Sequence, residues 1–163
     1  MRSNSTIAIV ILNYQTFTDT INLVEEIRLQ ENINAHILIV DNCSPNNSFK
    51  ILSDVFRTDV SIEVIQSENN GGYASGNNLG FRYLEKKEVD FILISNNDLI
   101  MNDRLLLSKM MNSYLKCYNP AFLSPVMLNE KEVQRRPSSW NIPTFLEDFR
   151  NLLCLDRINI ANL

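Results

Sequence analysis

The sequence has few of the residues on which several classes of protein depend. It contains one histidine, His36, for which we predict a structural role, and three widely spaced cysteines, Cys43, Cys117 and Cys154. These residues give no metal-ligand spacing and no disulfide framework, which is typical of a protein in the reducing cytoplasm. The net charge of -4 argues against nucleic-acid binding, which needs a basic face. No apolar run approaches the roughly 18 residues of a membrane-spanning helix.

Two nucleotide-binding fingerprints are also missing. No G-x-G-x-x-G follows the first apolar run, where the chain continues as Leu12-Asn13-Tyr14. No G-x-x-x-x-G-K-[ST] occurs anywhere in the chain. The sequence therefore argues against a dinucleotide-dependent dehydrogenase and against a P-loop enzyme.

Glycine is scarce and concentrated in one place. The four glycines of the chain are Gly71, Gly72, Gly76 and Gly80. The first pair predicts a turn with positive φ. Gly76 and Gly80, four residues apart, predict one face of a helix that ends at about Lys86 and approaches another backbone closely.

The remaining pattern alternates short apolar runs with amphipathic segments. We predict strands at 7–12, 37–40, 61–65, 91–95 and 121–127, and further helices at 18–29, 48–56, 103–118 and 144–155, with Asn102 as the cap of the helix at 103. This order predicts one α/β domain over 1–163, with a doubly wound, largely parallel sheet and helices on both faces. The unbroken apolar run from Phe91 to Ile94 predicts a strand buried on both faces.

Polar residues follow the first four predicted strands. In a parallel sheet these ends meet at one edge, where ligands of such sheets bind. Asp98, just after the fourth strand, is a candidate ligand for a hard divalent cation. Water and phosphate oxygens would fill the remaining coordination positions. Asp41, after the second strand, is placed to accept hydrogen bonds from a base or a sugar. The residues thus predict a site for a metal-bound, phosphorylated nucleotide.

Four segments resemble successive motifs of family 2 glycosyltransferases. They are VILNY at 10–14, VDNCS at 40–44, NGGYASGNNLG at 70–80 and LISNND at 93–98. The closest subgroup in appearance is the bacterial rhamnosyltransferase-like one. The resemblance implies a GT-A fold, with a nucleotide-sugar-binding half followed by an acceptor-binding half.

The resemblance also implies a role for each matching residue. Asp41 would hydrogen-bond the pyrimidine of a UDP- or dTDP-sugar, and Asp98 would bind the Mg²⁺ or Mn²⁺ ion that bridges the diphosphate. Asn96-Asn97-Asp98 takes the place of a D-x-D motif, so Asn96 replaces its first acidic residue. The other implied nucleotide-sugar contacts are Leu12, Asn13, Tyr14, Asn70, Gly71, Gly72 and Asn97. The implied reaction inverts the anomeric centre and transfers a sugar to a glycan or lipid-linked acceptor in surface polysaccharide synthesis.

The general base expected of this family has only a weak match. Glu147 and Asp148 form an acidic pair, but they follow Asp98 by about fifty residues, earlier than the family's spacing. We therefore expect a donor-binding half without most of its acceptor half, and little or no sugar transfer from residues 1–163 alone. Two alternatives stay open: a catalytically dead module that binds a nucleotide or a partner, and an unrelated flavodoxin-like nucleotide-binding protein.

The last predicted helix, at 144–155, has one apolar face. This face belongs either to a core or to a contact with another surface, such as a membrane. The expected location is the cytoplasm, with peripheral contact at the inner face of the membrane as an option.

Overall fold

Four parallel strands and four helices alternate along residues 6–117. They were observed in a computed structural model, which describes residues 6–117, 120–125 and 128. The chain divides into two compact units, Met1–Tyr118 and Asn119–Leu163, and every element named here belongs to the first. The elements are β1 (Thr6–Asn13), α1 (Phe17–Arg28), β2 (Asn34–Asp41), α2 (Ser48–Phe56), β3 (Ile62–Gln66), α3 (Gly72–Leu84), β4 (Phe91–Asn96) and α4 (Leu106–Lys116).

The strand order in the sheet is β3-β2-β1-β4, and all pairings are parallel. The chain therefore builds the sheet outward from β1 to β3 and then returns to the other side of β1. The predicted doubly wound parallel α/β architecture is confirmed. This order also differs from the 2-1-3-4-5 order of flavodoxin-like sheets, in which β1 lies between β2 and β3.

Helices cover both faces of the sheet, as predicted. On one face α1, α2 and α4 bury residues such as Leu23, Leu52 and Leu107 against Ile9 and Ile39. On the other face α3 covers Ala8, Val10, Leu38 and Val40 and buries Leu84. β1 and β2 are buried on both sides, which explains why their sequences are unbroken apolar runs.

The prediction that β4 is buried on both faces is wrong for the described part of the chain. Phe91 and Leu93 pack against the core, but Ile92 and Ile94 are 42% and 43% exposed. The reason is topological. β4 lies at the edge of the four-stranded sheet, while α3 packs on β1 and β2. An apolar run reports the hydrophobicity of both faces and does not report whether a helix covers them.

Two local predictions also need correction. α4 begins at Leu106 rather than at residue 103, and Asp103, not Asn102, organises its start by accepting the Leu105 amide (2.9 Å). Residues 121–125 form no strand. Pro120 precedes this stretch and Pro125 ends it, and neither has an amide hydrogen to donate. Residues 126 and 127 lie outside the described residues.

His36 lies in an ionic cluster near the start of β2, the strand that ends at Asp41. Its Nε2 is 2.9 Å from Glu63 Oε1, without the geometry of a hydrogen bond, while Lys87 and Tyr83 both donate to the same carboxylate. Burial opposes ionisation of Glu63, but the hydrogen bonds from Lys87 and Tyr83 outweigh it and hold its pKa below the usual value. The cluster ties α3 to β2 and β3, consistent with the predicted structural role of His36.

The close approach of α3 to β1 depends on Gly76 and Gly80. A Cβ atom at Gly76 would lie 2.3 Å from Leu12 Cδ1, and one at Gly80 would lie 2.8 Å from Val10 Cγ1. The prediction that these two glycines lie on one helix face and allow close packing is thus confirmed, although the atoms that they approach are side chains of β1 and not its backbone. Val10 is fully buried and branched at Cβ, so it has little freedom to move away.

Replacing Gly80 with Ala is expected to lower the free energy of unfolding by about 1–2 kcal/mol. Overpacking against Val10 costs about 1–3 kcal/mol, and the higher helix propensity of Ala returns about 0.5–1 kcal/mol. Urea unfolding measures the difference. In a Val10→Ala background the clash disappears, so the same substitution should become neutral or stabilising. Asn78→Ala, at an exposed position of the same helix, is the control, and an equal loss there would contradict the packing argument.

Candidate functional site

The carboxyl ends of the strands bring the predicted site residues to one edge of the sheet. Asn13 pairs with Asp41, Leu12 pairs with Asn96, and Asp41 pairs with Gln66. The chain reverses its direction of sheet growth between β1 and β4, and open α/β sheets bind ligands at such a switch point. The predicted clustering of the strand ends is therefore what the topology produces.

Asp41 is a fully buried carboxylate at the centre of this edge. Its Oδ1 accepts hydrogen bonds from Asn13 Nδ2 (2.7 Å) and Ser44 Oγ (2.6 Å). Its Oδ2 accepts from the Ser44 amide (2.9 Å) and from Gln66 Nε2 (3.1 Å). A carboxylate offers about four acceptor positions, so donors of the protein itself occupy all of them.

This arrangement bears on the role predicted for Asp41. The side chain is 0% exposed, and a base could reach it only if an internal donor moved away. Gln66 is the donor best suited to do so, since it is exposed and makes the longest of the four bonds. The contact between Asp41 and a nucleotide base stays a prediction, while its part in joining β1, β2 and β3 is visible.

The glycine turn after β3 is held by Asn42, a residue that sequence reasoning did not single out. Asn42 is 3% exposed, and its Nδ2 donates to Asn70 Oδ1 (2.8 Å). The same oxygen accepts the Gly72 amide (3.1 Å). Gly72 has φ +78°, a conformation that favours glycine, and open space surrounds its Cβ position. The predicted positive-φ turn is confirmed.

The turn after β4 carries Asn97 and Asp98. Asn97 is half-buried, and its Nδ2 donates to Thr16 Oγ1 (2.6 Å) and Thr20 Oγ1 (3.0 Å) at the start of α1. Asp98 and Asn96 are exposed. The side-chain amide of Asn97 thus fixes the turn. The exposed side chains of Asn96 and Asp98 are the ones available to a ligand.

The segment that follows Asp98 is fastened to α1. Glu26 Oε2 accepts the Met101 amide (2.5 Å), and the Gln30 side chain bonds both Asp103 O (2.9 Å) and the Leu107 amide (3.1 Å). These contacts were not foreseen. They anchor the far side of the loop that begins at Asp98.

The oxygen atoms at this edge suit a divalent cation whose coordination the bound ligand would complete. In the described part of the chain, no three His, Cys, Asp or Glu side chains are grouped to hold a metal by themselves. Asp98 offers one exposed carboxylate, and Mg²⁺ is commonly held by one or two carboxylates with water and substrate phosphates. The residues present are therefore suited to a metal that arrives with a phosphorylated ligand.

Two residues near the strand ends adopt left-handed backbone conformations without being glycine. Gln15, after β1, has φ 65°, and Cys43, after β2, has φ 56°. The Ser44 hydroxyl, which donates to Asp41, also accepts the Gln15 amide (2.8 Å) and so bridges the two loops. Asp41 also accepts the Ser44 amide three residues on, so one serine holds the loop after β2 through two hydrogen bonds to the same carboxylate.

The other implied contact residues lie where the motifs placed them. Leu12 is half-buried at the end of β1, Tyr14 is 42% exposed just after it, and Gly71 is exposed at the turn before α3. Glu147 and Asp148, the weak candidates for a general base, lie outside the described residues.

Comparison with known protein families gives one match along most of the chain. Residues 6–161 match the family described as Glycosyl transferase family 2. Among curated proteins, the glycosyltransferase GlyG of Streptococcus pneumoniae is 29% identical over 100 residues, which cover 61% of this chain and 32% of GlyG. The low-salt glycan biosynthesis hexosyltransferase Agl10 of Haloferax volcanii is 29% identical over 128 residues, 78% of this chain and 38% of Agl10. The chain thus spans about a third of these relatives.

Solved structures with a similar fold include a mannosyltransferase and a complex of TarS with a nucleotide sugar. The mannosyltransferase PcManGT of Pyrobaculum calidifontis, in complex with GDP-Man and Mn²⁺, superposes with a TM-score of 0.62 at 13% identity, covering 69% of this chain and 33% of that one. TarS of S. aureus, in complex with UDP-GlcNAc, gives 0.56 at 20% identity, covering 68% and 31%. These likenesses show that the fold is the GT-A type.

Proposed function

The chain belongs to glycosyl transferase family 2, and on that premise we propose that it binds the nucleotide-sugar donor of a glycosyltransferase. One observation carries the proposal. A single sheet edge holds a buried Asp41 network, a glycine turn that opens α3, and an exposed Asp98 beyond β4. Amide groups, a positive helix end and a carboxylate for a cation suit a nucleoside diphosphate.

Asp98 would hold the cation, with Asn96 beside it. A bound Mg²⁺ or Mn²⁺ would neutralise charge on the diphosphate leaving group. The protein's own contribution is to keep the Asp98 turn fixed, through Asn97 on one side and through the Glu26 and Gln30 contacts on the other. PcManGT, whose complex contains Mn²⁺, supports the choice of cation.

The base and ribose would lie along Leu12 to Tyr14 and the Asn70-Gly71-Gly72 turn. We favour a UDP- or dTDP-sugar, because Asp41 is an acceptor and the N3–H of a uracil or thymine is a donor. For the base to bind Asp41, Gln66 would have to release Asp41 Oδ2. TarS was solved with UDP-GlcNAc and PcManGT with GDP-Man, so a guanine nucleotide belongs in any test.

The reaction that we propose for the whole enzyme is inverting and metal-dependent transfer. The acceptor would be a glycan or a lipid-linked sugar in surface polysaccharide synthesis, and the rhamnosyltransferase-like subgroup of the motifs favours a deoxysugar donor. Among the described helices, none is both long and apolar enough to cross a bilayer. We place the protein in the cytoplasm, with the membrane face as the site of a lipid-linked acceptor.

Calorimetry with UDP, dTDP, GDP and FMN, each with Mn²⁺ and with EDTA, tests the donor site. We expect UDP or dTDP to bind with Mn²⁺ and to lose about tenfold or more in affinity without it, which is a difference of about 1.4 kcal/mol. Binding of FMN, or nucleotide binding that ignores the metal, would contradict the proposal.

A second candidate function is a donor-binding module without transfer activity. It is favoured by the position of the acidic pair, since Glu147 and Asp148 follow Asp98 too closely for the family's general base. Incubation of residues 1–163 with donor sugar and a lipid-linked acceptor separates the two. Turnover would make Glu147 and Asp148 the first residues to replace.

A further inference from the structure

A line of hydrogen bonds, buried except at its first link, joins the turn after β4 to the end of β2. Asn97 Nδ2 donates to Thr20 Oγ1 (3.0 Å), Thr20 Oγ1 donates to Asn13 Oδ1 (2.9 Å), and Asn13 Nδ2 donates to Asp41 Oδ1 (2.7 Å). We call Asn97, Thr20, Asn13 and Asp41 the polar relay. Its members lie on α1, β1, β2 and the turn after β4, and it links the two ends of the candidate site.

The direction of these bonds is the same at every step. Each donor points toward Asp41, so the line terminates on a carboxylate. Hydrogen bonds that share a direction polarise one another, and this effect is stronger away from water. Thr20, Asn13 and Asp41 are all 0% exposed, so no water competes for the two inner links.

Thr20 occupies a position that α1 would ordinarily fill with an apolar side chain. It lies on the face that also buries Leu23, Val24 and Ile27. Its hydroxyl accepts from Asn97 and donates to Asn13 (2.9 Å), while the Thr16 carbonyl is a more distant acceptor at 3.4 Å. A buried hydroxyl on an apolar face is retained at a cost unless its hydrogen bonds are satisfied, and here they are.

We infer that Thr20 and Asn13 are positioning residues, which set the distance between the Asp98 turn and the Asp41 loop. The inference rests on the proposed function, in which the first end holds the metal and diphosphate and the second lies beside the base. A nucleoside diphosphate touches both ends, so its affinity depends on their spacing. A nucleoside touches only the second end.

The test uses Thr20→Val, which is nearly isosteric and lacks the hydroxyl, with Thr20→Ser as the variant that retains it. Thr18→Val is the matched control, because Thr18 is exposed on the same helix. Calorimetry is run with UDP plus Mn²⁺ and with uridine. We expect Thr20→Val to weaken UDP binding by about tenfold and uridine binding by less than about twofold, as for coupled neighbours. Thr20→Ser should restore wild-type affinity, and Thr18→Val should retain it.

Equal losses for UDP and uridine, or a loss that Thr20→Ser does not restore, would overturn the inference. A ligand-free measurement keeps it independent of the proposed function. The amide chemical shifts of Ser44 and Asp98 should both change in Thr20→Val, and neither should change in Thr18→Val. Shifts confined to Asn13 and Thr16 would overturn the relay. If the wild-type protein binds neither ligand, the proposed function fails and these shifts alone decide.

Should Thr20→Val fail to fold, Asn97→Ala cuts the same line at its half-buried end. The expected pattern is again a larger loss for UDP than for uridine, and a shift of the Ser44 amide. An Asn97→Ala protein that leaves the Ser44 amide unmoved would overturn the inference.

Discussion

An Asp41→Asn protein is expected to be less stable than wild type by about 3 kcal/mol, measured by urea unfolding without any ligand. The substitution keeps the shape of the side chain, so it creates no cavity. It replaces one acceptor oxygen with an NH₂ group among four donors. The loss therefore isolates the hydrogen bonding of this buried carboxylate.

Neither orientation of the new amide satisfies these donors. With NH₂ at the Oδ2 position, Gln66 can turn its own amide, but the Ser44 backbone amide has no acceptor and cannot invert. With NH₂ at the Oδ1 position, it faces Asn13 Nδ2, whose amide oxygen is already bonded to Thr20. A buried donor without a partner costs about 1–3 kcal/mol, and loss of charge-assisted bonds adds to this.

Asp54→Asn is the control, since Asp54 is an exposed carboxylate on α2. Its removal should change the stability by less than about 0.5 kcal/mol. An Asp41→Asn protein as stable as this control would show that the internal donors do not depend on the carboxylate. Asp41 would then be free to serve a ligand alone.

The fold could be predicted because the hydrophobic pattern of a helix or strand, and the polar residues that end a strand, are visible within a single segment of the sequence. Val10 and Val40 stand in unbroken apolar runs, and both proved to be buried. The family resemblance of the four motifs was likewise confirmed, while the rhamnosyltransferase-like subgroup remains a prediction. What the pattern could not give was the partner of each polar residue. Ile94 is exposed because of where β4 lies in the sheet, which no local pattern encodes.

In the candidate site, too, the sequence predicted where residues lie but not what surrounds them. Asp41 and Asp98 were identified as strand-end carboxylates, but their environments differ completely, one fully buried and one exposed. Thr20 and Asn42 were missed because their roles depend on residues 77 and 28 positions away, Asn97 and Asn70. A polar residue on the apolar face of a predicted helix, such as Thr20, is a usable signal. It indicates that a buried partner exists without naming it.

Asp98→Asn is expected to weaken UDP binding in Mn²⁺ by about tenfold or more, toward the affinity of the wild-type protein in EDTA, since even the loss of a residue that only supports a metal ligand costs about 10–100-fold. The carboxamide keeps the size of the side chain and removes the charge that attracts the cation. Asp98 is exposed, so its replacement should leave the free energy of unfolding within about 0.5 kcal/mol of wild type. Affinity measured with EDTA should not fall and should rise somewhat, because the removed carboxylate no longer repels the diphosphate when no cation lies between them.

The reciprocal change, Asn96→Asp, separates a metal ligand from a carboxylate that merely lies nearby. Asn96 is exposed two residues before Asp98, and the substitution places a second carboxylate at the same turn. Affinity for UDP with Mn²⁺ should rise, because added ligand charge strengthens binding of hard cations. Affinity with EDTA should fall, because the new charge repels the diphosphate without a cation between them. If Asp98 only repelled or ordered the ligand, Asn96→Asp would change both affinities in the same direction, and the assignment of Asp98 to the metal would be wrong.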